Sequence, residues 1–334
     1  MTTEPTAVLR VEQLTQSFRI RGSNRRVQAL RGVDLTVVEG SSVGIVGESG
    51  SGKSTLGRAI VGLERPTGGT IEILGTDVLK RSSRQRLSIE GGVQMIFQDP
   101  RMSLNPRLPM WRCVAEPLLA RKLPASRPVV DALLERVGLA SRYGDMFAHQ
   151  LSGGQCQRVA IALAVAARPK LIVADEPVSA LDVSVQAQIL NLLKDIQQEF
   201  ETSFVFISHD LGVVRFFCDR VSVLYLGQVL ESGPTQSVLT EPQHPYTEVL
   251  ASASPTLQLA ERKEQLLVAG EPPRPDQPPA GCSFHARCPR RIGPVCDDVP
   301  PESYPTDDGF ARCHLRAPLP QPVIPLDKPT KEIA

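Results

Sequence analysis

The sequence predicts an α/β fold built around a largely parallel sheet, and three observations carry that prediction. Short apolar runs suited to buried strands recur at 41–46 ("SSVGIV"), 170–174 and 204–207, each adjoining a helical stretch. The first of these runs passes through a Gly-rich turn directly into a helix. The chain has 334 residues, enough for two or three domains and a sizeable core.

Along the chain, residues 8–20 and 33–46 alternate apolar and polar positions and read as strands. Residues 112–168 are mostly helical in pattern, as in "VVDALLERVGL" at 129–139 and "CQRVAIALAVAA" at 156–167. After residue 255 the composition shifts, with 16 of the 29 prolines in the last 80 residues. Such a segment is expected to carry neither long helices nor central strands, so its order should come from something other than a hydrophobic core. No internal repeat is present, which implies one catalytic unit.

Composition excludes several function classes. The 37 basic and 36 acidic residues nearly cancel, so no nucleic-acid-binding field is expected. Apolar runs such as "LIVA" at 171–174 fall far short of the ~20 residues of a membrane-spanning helix. The first twenty residues carry Glu4 and Glu12 and no apolar stretch, so no secretory signal is expected and the chain reads as a cytoplasmic protein.

The chemistry begins at "GESGSGKST", residues 47–55, which matches G-x-x-x-x-G-K-[ST] in full. Gly47, Gly50 and Gly52 let the backbone curl so that N–H groups, with those of Ser49 and Thr55, face phosphates. The helix that follows adds a favourable field, typically ~0.3–1 kcal/mol per nearby anionic group. Lys53 is expected to reach the β- and γ-phosphates and Ser54 to ligate Mg²⁺. "LIVADEP" at 171–177 ends an apolar strand in Asp175, a Mg²⁺ partner at the carboxyl edge of the sheet, with Glu176 placed to polarise an attacking water. "LSGGQ" at 151–155 opens a second helix, with Ser152 as its N-cap and Gly153, Gly154 and Gln155 exposing N–H groups at its positive end. Taken alone, it reads more readily as a well-capped helix.

These motifs, with Gln98 after "VQMIF", "SALD" at 179–182 and "SHD" at 208–210, together resemble an ABC-type ATPase over residues 8–235. The resemblance implies a P-loop NTPase core with an N-terminal antiparallel β subdomain and a helical subdomain. It implies that two such domains pair head to tail, each ATP lying between one phosphate loop and the other domain's LSGGQ helix. Ser152, Gly153, Gly154 and Gln155 then serve a partner's nucleotide. By the same resemblance Gln98 joins Ser54 and Asp175 around Mg²⁺ and senses the γ-phosphate. His209 holds the γ-phosphate and water in line, and Phe18 stacks on adenine, although a core Phe competes for that position.

"QDPRMSLNPR" at 98–107, "DEPVSALDVSVQAQILNLL" at 175–193 and "HPYT" at 244–247 narrow the resemblance to ATPase subunits of dipeptide and oligopeptide permeases, of the DppF/OppF type. That implies an ATPase domain over 1–255, with its helical subdomain at about 100–168, followed by a Pro-rich domain over 256–334. It further implies a second ATPase subunit, two transmembrane permease subunits and an extracytoplasmic binding protein as partners. The chain would lie peripherally on the cytoplasmic face of the inner membrane. Nickel, metallophore and opine importers share this scaffold. A soluble ABC protein of DNA repair or translation is the reading from another class, but the tandem domains, coiled coils or basic surfaces usual there are not seen.

Seven cysteines complete the inventory. Cys113, Cys156 and Cys218 lie in regular-structure patterns and are expected to pack as apolar residues. Cys282, Cys288, Cys296 and Cys313, separated by 5, 7 and 16 residues, suit a tetrahedral metal centre or a cluster. Their spacing by itself favours Zn²⁺, with His285 and His314 as adjacent alternatives. The family resemblance instead implies an irregular Cys-containing appendage that holds a [4Fe–4S] cluster, and such a centre could supply ordering free energy to the tail.

Overall fold

Mainly apolar strands can be covered on both faces, and three among the described residues are buried at every position. They are β3 (Ser42–Val46), β7 (Leu171–Asp175) and β8 (Ser203–Ile207), buried throughout. The computed structural model describes residues 6–20, 22–80, 92–254 and 270–317. With β6 (Val93–Ile96) and β9 (Arg220–Tyr225), those strands form a parallel array in the order β9-β3-β8-β7-β6. Because the strands are parallel, crossover segments join them and all the carboxyl ends open on one edge.

The two faces serve different cores. Along β8, Phe204 and Phe206 enter a cluster with Val159, Leu193 and Phe217. Val205 and Ile207 point the other way, to Leu56, Val173 and Leu14. That two-residue alternation follows from strand geometry. The second core is roofed by an antiparallel sheet of β2 (Arg26–Val38), β1 (Ala7–Arg19), β4 (Gly68–Ile73) and β5 (Thr76–Asp77), in that spatial order. Helix α1 (Lys53–Ile60) is packed beneath it through Leu56, Ala59 and Ile60.

The helical pattern expected over 112–168 is present as α2 (Met110–Ala120), α3 (Arg127–Arg136) and α4 (Gly153–Ala166). Helix α4 is apolar almost all round, from Cys156 to Ala166, and is buried accordingly. Helix α5 (Val183–Phe200) starts where Asp182 accepts the Val185 N–H at 3.0 Å and stops at Glu201, which takes a left-handed φ of 52°. Helices α6 (Leu211–Phe217), α7 (Thr235–Thr240) and α8 (Pro245–Ala253) complete the body. Among the described residues no helix is long and apolar enough to cross a membrane.

The tail corrects one expectation. Much of it is irregular, yet β11 (Tyr304–Thr306) and β12 (Gly309–Ala311) form a hairpin that pairs with β10 (Gln228–Pro234) and extends the main sheet. Phe284, at 1% exposure, packs among Tyr225 and Tyr246 in the main core. The tail therefore draws part of its order from the hydrophobic core. Proline density misled because Pro305 sits on the outermost strand, where its missing N–H breaks no ladder. The expected domain boundary at 255/256 lies outside the described residues.

Candidate nucleotide-binding site

The parallel register brings four chain segments to one edge. Ile45 pairs with Ile207, Ile207 with Asp175, and Ala174 with Ile96, so the segments after β3, β8, β7 and β6 emerge side by side. Gly47, Asp175, Gln98 and His209 lie on those four ends.

The loop at 47–52 has room for no side chain at two of its glycines. A Cβ at Gly47 would lie 2.0 Å from the Leu224 carbonyl oxygen, and one at Gly52 would lie 2.4 Å from that of Ala29. Both also take positive φ, 151° and 107°. Ser49 and Gly50 form the exposed tip, while Thr55 lies in the first turn of α1. Lys53 is buried and donates to the carbonyl oxygens of Gly47 at 2.8 Å and Glu48 at 2.9 Å. Burial lowers the Lys53 pKa, and the carboxylates of Glu176, Asp175 and Glu48 oppose that shift. Ser54 Oγ donates to Asp175 Oδ1 at 3.0 Å, joining the two segments expected to meet at Mg²⁺. Burial pushes the Asp175 carboxyl upward, partly offset by that hydrogen bond.

Glu176 follows in a left-handed conformation, φ 47°, and its N–H donates to Ile207 O at 2.9 Å. A bulky residue held there stores strain, a feature of functional positions. Its carboxylate accepts from Gln98 Nε2 at 3.1 Å and lies 3.2 Å from His209 Nδ1. Phe18 stands near the end of β1, 37% exposed, so it is a surface aromatic and the core alternative is removed.

The LSGGQ residues are not part of this constellation. Ser152 caps α4 by accepting the Gln155 N–H, and Gln155 Oε1 accepts the Ser152 N–H at 2.9 Å, a reciprocal box. A Cβ at Gly154 would lie 2.9 Å from Val185, and one at Gly153 would lie 3.7 Å from Leu181. The motif thus lies against the "SALD" turn, with its backbone N–H end on the surface.

Sequence reasoning missed how the tail reaches the phosphate loop. The Glu48 N–H donates to Tyr246 Oη at 2.9 Å, and Arg287 Nη1 donates to both Glu48 oxygens at 3.1 and 2.8 Å. Arg287 also donates to Tyr225 Oη at 3.3 Å. The Tyr of "HPYT" was visible in the sequence, but nothing in it assigned that side chain a partner 198 residues away.

The four tail cysteines are free thiols, three of them buried and Cys288 half-buried. Burial pushes the Cys282 thiol up to about 11, and proximity to Cys313, Cys288 and Cys296 adds to the shift. Cys282 N–H donates to Cys296 O at 2.8 Å. Among the described residues, however, no three His, Cys, Asp or Glu side chains converge so as to hold a metal ion. The expectation of a resident metal centre therefore gains no support from that geometry. His285 and His314 are hydrogen-bonded to the carbonyl oxygens of Cys282 and Val299 instead, each at 2.8 Å. Cys113, Cys156 and Cys218 are buried as expected, and burial raises all three thiols.

A phosphate loop, an acidic strand end and an LSGGQ helix on this topology define an ATP-binding cassette. Residues 30–179 match the model of the ABC transporter family, and residues 230–296 match that of the oligopeptide/dipeptide transporter C-terminal region. The chain is 44% identical over 315 residues to the putative oligopeptide transport ATP-binding protein YkfD of Bacillus subtilis, covering 92% of this chain and 95% of that one. It is 45% identical over 281 residues to the dipeptide transport ATP-binding protein DppF of Escherichia coli, covering 83% and 84%. Among solved structures, the dimeric ATP-binding cassette MJ0796 bound to ADP and Pi superposes with a TM-score of 0.63 at 32% identity, covering 68% of this chain and 98% of that one. The chain belongs to the family of oligopeptide and dipeptide transport ATP-binding proteins of the ABC class.

Proposed function

We propose that this chain is the ATP-hydrolysing subunit that energises import of dipeptides or oligopeptides, with Glu176 as the group that activates water. The observation that carries this reading is the Glu176 carboxylate held between Gln98 and His209 on the same sheet edge as the phosphate loop. In phosphoryl transfer, positioning and charge stabilisation dominate. The N–H groups of residues 47–55 cradle the phosphates, and Lys53 neutralises them. Glu176 takes the proton of the attacking water, and His209 fixes that water and the γ-phosphate in line. Phe18, exposed near the end of β1, stacks on the base. Ser54 and Asp175 are an oxygen pair 3.0 Å apart, suited to a hard cation. With Gln98 they would hold Mg²⁺, which neutralises charge on the β- and γ-phosphates.

Ser152, Gly153, Gly154 and Gln155 complete a nucleotide site on a second ATPase subunit, whose own motif closes the site here. Two supports are the surface position of their N–H end and the dimeric state of the superposing cassette. Two transmembrane permease subunits and an extracytoplasmic binding protein complete the importer, with this chain peripheral on the cytoplasmic face of the inner membrane. Relatives that carry peptide-transport names over nine-tenths of this chain support that assignment. The assembled importer, reconstituted in vesicles with ATP inside, should accumulate a labelled dipeptide; Glu176→Gln should abolish uptake, and uptake that survives would overturn the reading.

The same reading extends to Cys282, Cys288, Cys296 and Cys313 as ligands of a [4Fe–4S] cluster. A cluster spreads its four thiolates over four irons, so the thiols need not meet at one point. Four free thiols, three of them buried, with Cys282 electrostatically coupled to the other three, are what support this reading.

A further inference from the structure

The phosphate loop contains an acidic residue that an anion site has no electrostatic use for. Glu48 is the second residue of "GESGSGKST", and its charge is close enough to Lys53 to oppose the lowering of that lysine's pKa by burial. Left alone, a carboxylate there repels the phosphates the loop exists to bind. It is not left alone. Arg287, with its side chain only 11% exposed, donates to both carboxylate oxygens, and Tyr246 takes the Glu48 N–H. Both partners come from outside the phosphate-loop segment. Tyr246 lies on α8, and Arg287 lies in the tail immediately before Cys288.

We propose that Arg287 and Tyr246 are positioning residues of the ATP site, Arg287 neutralising Glu48 and drawing its carboxylate to the tail. Nucleotide affinity then depends on the tail's being folded onto the phosphate loop. The inference rests on residues 47–55 being the nucleotide site. It adds to that site a specific electrostatic requirement met by the C-terminal segment. Three contacts fix Glu48 together: its N–H to Tyr246, its carboxylate to Arg287, and its carbonyl oxygen to Lys53. Losing the charged contact frees the carboxylate to face the phosphates.

The test is the affinity of the full chain for a fluorescent ATP analogue with Mg²⁺, together with KM and kcat for ATP in the assembled importer. Arg287→Ala should weaken binding roughly tenfold, the range of a charged hydrogen bond lost at a buried position, with the change in KM and not kcat. Glu48→Gln leaves the tail's packing in place and should bind at least as tightly as the unaltered chain. Combining it with Arg287→Ala should restore affinity to within about threefold, because no charge then needs neutralising. A purely structural role gives the opposite pattern: Glu48→Gln weakens binding, and the double variant is no better than Arg287→Ala. Should Arg287→Ala not fold, Arg287→Lys with and without Glu48→Gln reads the same coupling at smaller amplitude. Unchanged affinity in Arg287→Ala, or no rescue, overturns the inference alone. If the unaltered chain binds no nucleotide, the site assignment itself fails.

Discussion

The Gln98 amide donates to Glu176 Oε2 across 3.1 Å, tying the segment after β6 to the carboxylate that follows β7. His209 reaches the other oxygen of the same carboxylate at 3.2 Å. Two polar side chains from two other strand ends thus fix one acid. Glu176→Gln should lower kcat by at least about a hundredfold, the usual scale for removing a general base. It should leave ATP bound and trap an ATP-bound dimer, seen as a doubling of mass on size-exclusion chromatography with ATP. Hydrolysis near the normal rate would remove Glu176 from the mechanism.

Gly153 and Gly154 lie against Leu181 and Val185, and in the proposed function Ser152–Gln155 serve a second subunit's nucleotide. The isolated chain at high dilution should therefore hydrolyse ATP weakly and gain activity with its partner ATPase and permease subunits. Rate per chain measured against concentration decides this. A full rate that is independent of dilution would mean one chain suffices.

The tail should carry iron. Anaerobically purified protein is expected to be brown, with about four irons per chain for a [4Fe–4S] cluster. Cys288→Ser should lose the colour and open residues 270–317 to protease. ATP binding should persist, weakened through Arg287. Colourless protein with one zinc per chain would replace the cluster by zinc. Protein with neither metal and a protease-resistant tail would leave the hairpin on β10 and the buried Phe284 as sufficient anchors.

Phe284 packs against both Tyr225 and Tyr246, with ring centroids 5.5 and 5.2 Å away. Phe284→Ala should destabilise the fold by about 3–5 kcal/mol, the range for emptying a buried aromatic site. Denaturant unfolding checks it. A loss under 1 kcal/mol would show that the tail does not pack on the core in solution.

His244 is fully buried, and burial lowers its pKa from 6.5 to about 3. The folded state thus prefers neutral imidazole, whose Nδ1 accepts the Tyr246 N–H at 3.0 Å. With a depressed folded pKa, this contribution is complete above about pH 6.5 and is lost as pH falls toward 3. The slope should approach ~1.4 kcal/mol per pH unit in that window. Urea unfolding at pH 7 and pH 5 should show the loss. His244→Asn, which can still cap α8 without titrating, should flatten it. Equal pH slopes in the two proteins would remove His244 as the cause.

Much of this protein is legible in its sequence because the decisive features are local. A phosphate loop needs glycines where a Cβ would collide, as at Gly47 and Gly52, so its residues appear as a contiguous string. Strands buried on both faces appear as unbroken apolar runs, and Ser152 with Gln155 forms its capping box within one turn. What only the tertiary structure decided are the relationships between distant segments. The order β9-β3-β8-β7-β6 places Asp175, Gln98 and His209 beside Lys53, and no local pattern encodes that order. The hairpin at 304–311 found a sheet edge despite Pro305, because an outermost strand needs only one paired side. Arg287 neutralises Glu48 across 239 residues, since an ion pair is set by where two chain segments meet and leaves no periodicity in either.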